Sequence, residues 1–240
     1  LRLTVYDNGK ATVTLSEDFE ANSNIFSSND VVEHDGSRQL YMEATAGSAK
    51  RTMQTEQSLM PGVPLLRKAF SLKGGISKAR LYSTALGVYN IYINGTRVGI
   101  TDDDGNTEQD ELKPGSTDFK KTVFYCTHDV THLLLPGAND MGAELSSGWW
   151  NGAIAHGEFG DGDLGFRGML TVTYDDGTEE TIATDLSWTA STNGPVRKAD
   201  IYHGETYDAR LESAWSTAAY DDSDWCAVTE NNAFKGTLTA

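Results

Sequence analysis

Basic residues are scarce in this 240-residue chain: 19 Lys and Arg stand against 35 Asp and Glu, for a net charge of −16. That deficit excludes nucleic-acid binding, which needs clustered cations against phosphate, and adsorption to an anionic membrane surface. No run approaches the roughly 18 apolar residues of a spanning helix, so no membrane insertion is expected. Proline (5) and cysteine (2) are also few. Cys126 and Cys226 both lie in aromatic, strand-like text, which suits either a disulfide or two reduced core thiols. No Cys or His spacing of a structural metal site occurs. Helical text is the other absence: no stretch of about 12 residues keeps apolar positions at i, i+3, i+4 and i+7. The chain begins at Leu1 with no signal-peptide pattern and reads as a piece of something longer.

What remains is rich in glycine, threonine and aromatic residues, with 38% hydrophobic content, enough to build a core and biased toward an all-β fold. Residues 1–6 and 11–16 alternate on either side of Asn8-Gly9, a strong hairpin signal. Residues 22–38 are polar and read as loop, 40–44 and 50–55 as strands. Pro61-Gly62-Val63-Pro64 closes this segment. Beyond it, 65–72 and 79–86 alternate, and 89–93 puts Tyr89, Ile91 and Ile93 on one face before an Asn94-Gly95 turn. Further strands are expected at 122–125, 143–145, 168–174, 180–184 and 201–207, with Asp176-Gly177 as a second hairpin turn. Residues 130–135, capped by Asp129, and 221–225 read as single helical turns. Strands about ten residues apart with turn chemistry between them indicate a sandwich or jelly roll.

No nucleophile elbow, phosphate loop, His-Glu-x-x-His or dinucleotide glycine fingerprint is present. Glycoside hydrolysis needs two carboxylates flanking a cleft, and nothing singles out a pair among 35 acids. No catalytic residue is therefore assigned. The five histidines, His34, His128, His132, His156 and His203, are scattered and read as structural or solvent-facing. Asp102, Asp104 and Asn106 match positions 1, 3 and 5 of a Ca²⁺ loop. Position 6 is Thr107 rather than Gly and position 12 is Lys113 rather than Glu. These three are the metal candidates, for a noncanonical Ca²⁺ site, and a solvated acidic insertion is the stronger reading. Gly148-Trp149-Trp150-Asn151-Gly152 is the most suggestive local feature. On a strand, adjacent tryptophans face opposite sides, and an exposed ring next to amides suits a sugar face. Trp149, Trp150 and Asn151, with Asn94 nearby, are the candidate sugar contacts, against a structural reading in which the tryptophans pack at a sandwich edge. Asn94-Gly95-Thr96 also fits the N-glycosylation pattern, which the hairpin turn explains by itself.

Several strings in order carry a resemblance. They are Pro64-Leu65-Leu66-Arg67-Lys68-Ala69-Phe70, Ala79-Arg80-Leu81-Tyr82, the stretch from Leu86 to Gly99, Gly115-Ser116-Thr117-Asp118-Phe119 and YCTHDVT from Tyr125. After these come GWWNG from Gly148, IYHGETYDAR from Ile201 and Asp221-Asp222-Ser223-Asp224-Trp225. Over residues 64–230 the chain resembles the N-terminal β domain of bacterial α-L-rhamnosidases, glycoside hydrolase family 78. The resemblance implies a galactose-binding-like jelly-roll β-sandwich, here with an N-terminal β extension (1–63) and a linker (231–240). It implies an (α/α)6 barrel elsewhere in the same polypeptide, which carries the catalytic carboxylates for inverting hydrolysis of terminal rhamnose. The expected role is thus a noncatalytic module for recognising rhamnose-containing glycans or for scaffolding that barrel. A purely structural domain and the sugar-binding jelly roll of a β-galactosidase-like enzyme are the alternatives. Some relatives bind rhamnose with Ca²⁺, and no other cofactor is implied. Tyr202, Glu205, Tyr207, Asp208 and Arg210 are assigned to a domain interface, where an Arg among carboxylates and phenols makes a satisfied network. Ser116 replaces a family Trp, and 102–111 is an insertion. Polysaccharide breakdown places the parent enzyme in the periplasm, at the cell surface or outside the cell.

Overall fold

A computed structural model describes the backbone of residues 2–7, 10–16, 30–34, 38–44 and 51–55, and then residues 62–101, 107–108, 110–154, 158–160, 162–232 and 234–240. The chain divides into two units, Leu1–Pro61 and Gly62–Ala240. In the first, β1 (Arg2–Asp7) pairs antiparallel with β2 (Lys10–Ser16), as the Asn-Gly signal predicts. Strands β3 (Asp30–His34), β4 (Arg38–Ala44) and β5 (Arg51–Thr55) form an antiparallel sheet. β3 lies inside the span expected as loop; Val31-Val32 is too short an apolar run to show a period.

The second unit is a β-sandwich. Strands β6 (Leu65–Leu72), β7 (Ile76–Leu86), β8 (Val88–Ile93) and β9 (Thr96–Arg97) come first. β10 (Ile100–Thr101) precedes the acidic insertion and β11 (Thr107–Glu108) lies within it; Asp102, Asp104 and Asn106 lie outside the described residues. Then follow β12 (Thr122–Phe124), β13 (Cys126–Asp129), β14 (Gly137–Ser146), the helical turn α1 (Gly148–Asn151), β15 (Gly165–Tyr174) and β16 (Glu179–Ala183). Last are β17 (Thr189–Ser191), β18 (Val196–Asp200), β19 (Gly204–Tyr207), β20 (Cys226–Ala227) and β21 (Thr237–Thr239). One sheet runs β13-β7-β15-β16 and the other β20-β17-β6-β14-β8-β9. The core lies between them: Leu81, Leu170 and Val172 of the first meet Tyr89, Ile91, Ile93 and Met141 of the second, all at or near zero exposure.

Period-2 alternation explains this layering. Tyr89, Ile91 and Ile93 point inward as the sequence predicts, and the turn after them has positive φ at Asn94 (49°) and Gly95 (83°), the left-handed pair that a two-residue hairpin requires. The helical turn expected after Asp129 is a 3₁₀ turn at Thr131–Leu133; its N-cap is Val130, without a side-chain cap, and Asp129 accepts from the Thr131 N–H at 3.0 Å from one residue further out. Two expectations change. The strand expected at 201–207 is instead a hairpin, β18–β19, with its turn at 201–203. Within 231–240, β21 pairs in parallel with β12. Both thiols are free: Cys126 is half-buried and Cys226 exposed.

Candidate functional site

The tryptophan string forms a helical turn rather than a strand, so its two rings are not forced to opposite faces. Trp150 is 4% exposed and packs edge-on against Phe119 at 5.7 Å between ring centroids. Its indole N–H donates to the carbonyls of Gly162 (3.2 Å) and Asp163 (3.1 Å). Asn151 donates to the Gly162 carbonyl at 2.8 Å from an exposed position, and Trp149 is half-buried against the same cluster. Asn94 is also fully engaged: its Nδ2 donates to the Leu133 carbonyl and Asn139 Oδ1, and its Oδ1 accepts from the Asp140 N–H. Within the fold the Trp150 indole is buried, and both its N–H and the Asn94 amide are engaged by backbone and side-chain groups of the sandwich.

The tryptophan turn and the IYHGETYDAR string are joined through Asp200. Its carboxylate accepts from the N–H groups of Ala153 (2.9 Å), Tyr202 (2.8 Å) and His203 (3.0 Å). Burial pushes this carboxyl up, and the three donors outweigh it, so it titrates below the usual value. The knot holds up a hairpin tip on which Tyr202, 73% exposed, stacks edge-on with His203. Glu205 is exposed, and Tyr207, half-exposed, donates to Glu212 at 2.8 Å. Arg210 makes a two-point pair with Asp208 inside its own turn (2.8 and 2.7 Å), holding that carboxyl down to about 2. Asp200→Ala is expected to lower stability by about 1–2 kcal/mol, the size of a lost side-chain cap. Thermal unfolding checks this, and faster hydrogen exchange at the Tyr202 and His203 amides locates it.

Two buried polar clusters escaped sequence reading. Arg67, 1% exposed, pairs with the fully buried Asp140 at 2.6 Å and with Asp222 at 2.8 Å, and donates to the Thr217 carbonyl at 2.9 Å. It thereby staples the Asp-Asp-Ser-Asp-Trp segment onto the outer face of β6 and β14. The second cluster sets His128 Nε2 2.8 Å from Asp110 Oδ2, with Lys113 on the other oxygen. Burial works against the charge of Asp110, and His128 and Lys113 outweigh it and hold the carboxyl below its ordinary range. Among the described residues, no group of three or more His, Cys, Asp or Glu is placed to hold a metal.

Among the described residues, a concavity has the size of a ligand site. A cleft of about 830 Å³ opens where β7 ends and β15 begins, walled by Leu66, Leu164, Phe166 and the segment around Asn231 and Phe234. Leu164 and Phe234 also pack against the Phe119–Trp150 cluster, so the tryptophan turn backs the cleft without lining it. Asp185 stands at its edge, where the Lys68 ammonium at 2.7 Å and the Ser187 hydroxyl hold its carboxyl down to about 2. The acids that burial pushes up, Asp140 to about 7 and Glu144, sit on the outer face of β14 and do not line the cleft.

Comparison with known proteins gives this sandwich its relatives. Residues 74–240 match the model of the α-L-rhamnosidase N-terminal domain. An α-L-rhamnosidase of Streptomyces avermitilis is 44% identical over 158 residues, covering 64% of this chain and 14% of that protein. One from an Alteromonas species is 36% identical over 196 residues, covering 80% of this chain and 20% of that protein. Among solved structures, the Streptomyces avermitilis α-L-rhamnosidase complexed with L-rhamnose superimposes with a TM-score of 0.64 at 31% identity, over 82% of this chain and 22% of that one. The chain thus spans a fifth or less of the length of these two curated relatives. Its ordered motifs, its all-β sandwich and the matching family model agree: the chain belongs to the α-L-rhamnosidase N-terminal domain family.

Proposed function

We propose that this chain is a noncatalytic module of an α-L-rhamnosidase that recognises rhamnose-containing glycans, and that the cleft is where it does so. The observation that carries this is the cleft itself, which is of ligand size, has an apolar bed and is edged by amides, hydroxyls, the carboxylates of Asp185 and Glu230 and the guanidinium of Arg167. Its noncatalytic character rests on the acids. Inverting hydrolysis needs one carboxyl that keeps its proton near neutral pH. Of the two acids that line the cleft, Asp185 is held ionised by Lys68 and Ser187 and Glu230 is exposed to solvent, while Asp140 and Glu144, which burial raises, stand elsewhere.

Titration of methyl α-L-rhamnopyranoside, followed by NMR, is expected to shift amides of Phe166 and Asn231 at millimolar sugar. Repeating it in Ca²⁺ and in EDTA separates this cleft from a cation-dependent site at 102–106. Silence in both conditions would sink the recognition reading. Turnover of an aryl rhamnoside by the chain alone, abolished by one Asp or Glu substitution, would overturn the noncatalytic one. A second reading is scaffolding against the catalytic domain of the same polypeptide, favoured by the aromatic hairpin tip at Tyr202, since exposed aromatic surface marks protein contacts. Extracellular or periplasmic residence of the parent enzyme fits both.

A further inference from the structure

The outer face of the β13-β7-β15-β16 sheet carries charge of the sign this chain has least of. Alternation sends Ala79, Leu81, Leu170 and Val172 into the core, so Arg80, Tyr82, Met169 and Thr171 point away from it. The ladder fixes their neighbours. Thr127, Tyr82, Met169 and Ala183 form one row across the four strands, and Asp129, Arg80, Thr171 and Thr181 form the next. Lys78 lies one row past Arg80; Arg167 lies one row past Tyr82 on the other side, opposite Thr84. Elsewhere in the sandwich Arg67, Lys68, Lys73 and Lys113 each face a carboxylate. Lys78, Arg80 and Arg167 are exposed, and their side chains form no hydrogen bond or ion pair among the described residues. Two carboxylates share the face. Asp129, opposite Arg80, is taken up by the Thr131 N–H at 3.0 Å and hydroxyl at 2.6 Å, and Glu179 sits on the far strand opposite Thr173.

Four residues of strand, about 13 Å, separate Arg80 from the row that holds Arg167. Between them the Tyr82 ring lies 6.3 Å from that of Tyr125, and Thr127 and Thr181 add exposed hydroxyls. Each of these groups has a counterpart in an acidic polysaccharide. An arginine fork fits the paired oxygens of a carboxylate or sulfate, an aromatic ring offers its face to pyranose C–H groups, and hydroxyls bond hydroxyls. A protein partner would need an apolar centre, and on these four strands Met169 is the large apolar side chain that is exposed among the described residues. We propose that this face is a carbohydrate site separate from the cleft, binding an anionic glycan with its carboxylate or sulfate groups on Arg80 and Arg167 and a sugar ring between them on Tyr82. It goes beyond the reading of the cleft, and neither depends on the other.

Trigalacturonate and its fully methyl-esterified form share their rings and differ in charge, so the pair isolates the cations. Both are titrated into the chain by NMR at physiological salt, where screening over about 8 Å leaves the local cations to outweigh distant acids. The acid is expected to shift the amides of Arg80, Tyr82 and Met169, and the ester to bind roughly tenfold more weakly, the scale of a hydrogen bond to a charged group. Arg80→Gln alters an exposed side chain, so the fold should survive while affinity for the acid falls about tenfold. If that variant does not fold, the position of the shifts on the unaltered chain decides. Sulfated maltotriose separates the two anions: binding of it alone assigns the site to sulfate esters, binding of trigalacturonate alone to uronates. Equal affinity for acid and ester, unchanged affinity in a folded Arg80→Gln, or silence toward both anions overturns the site. Dimerisation that Arg80→Gln abolishes, with no glycan bound, makes the partner a second acidic copy and also overturns it. Rhamnoside shifts at Phe166 and Asn231 test the cleft independently of every one of these outcomes.

Discussion

Arg67→Ala is expected to destabilise the 62–240 unit by about 3–5 kcal/mol, the cost of breaking a buried ion pair from one side. The magnitude follows from what is left behind. Asp140 is fully buried, its Oδ1 has no hydrogen-bond partner among the described residues, and Arg67 is the cation that faces its other oxygen. The Thr217 carbonyl and Asp222 lose a donor at the same time. Denaturant unfolding measures the loss, and a double-mutant cycle separates it from packing. Arg67→Met combined with Asp140→Leu should cost much less than the two single changes added together, because no charge is then stranded.

The same pair predicts a pH dependence. Burial pushes Asp140 up to about 7 although Arg67 works in the opposite direction. A carboxyl raised on folding means that the folded state binds the proton more tightly than the unfolded chain does. The stability it contributes is therefore fully present below the ordinary carboxylate range and is lost as pH rises through about 7. Asp140→Asn has no such titration, so its stability relative to the unaltered chain should improve between pH 4 and pH 8. Melts across that range check the sign; a difference that moves the other way contradicts it.

Trp150→Ala is the second large effect, about 3–5 kcal/mol for truncating a buried aromatic ring. The ring packs on Phe119 and its N–H donates to the Gly162 and Asp163 carbonyls, so truncation opens a cavity and removes one donor from each of them, Asn151 and Asn231 remaining. Gly160 gives an independent handle on the same packing. A Cβ built there would lie 2.0 Å from the indole, so Gly160→Ala has to displace the ring or the loop. Both variants should show a lower melting temperature, and Gly160→Ala, which keeps the indole, a red-shifted tryptophan emission. Because Leu164 and Phe234 join this cluster to the cleft, weaker rhamnoside binding should accompany them. Unchanged stability in Trp150→Ala would mean that the turn does not buttress the fold.

How far the chain could be read in advance follows from the range of the interactions involved. Local periodicity was enough for the strand at Leu65–Leu72 and for the inward face of Tyr89, Ile91 and Ile93, since alternation there is uninterrupted. The ordered motifs were enough for the family. Local patterns failed where distant partners decide. Trp149-Trp150 fits either strand or loop text, and the turn is fixed by Gly160 packed against the indole and by the Gly162 and Asp163 carbonyls that accept its N–H. The 196–207 hairpin hides its turn because Asp200, which caps it, reads as one more acid among 35. Arg67 and Asp140 are 73 residues apart, and each looks like an ordinary solvated charge in its strand. The cleft is assembled from pieces between Pro64 and Leu238, so no single segment announces it.

The unequal state of the two cysteines gives the molecule a native optical handle. Cys226 is exposed and precedes Ala227, which lines the cleft, whereas Cys126 is half-buried and burial pushes its thiol up. Only a thiolate attacks a maleimide or an iodoacetamide, so a brief reaction at neutral pH should mark Cys226 and spare Cys126. A fluorophore attached there reports occupancy of the neighbouring cleft with no substitution made anywhere in the chain.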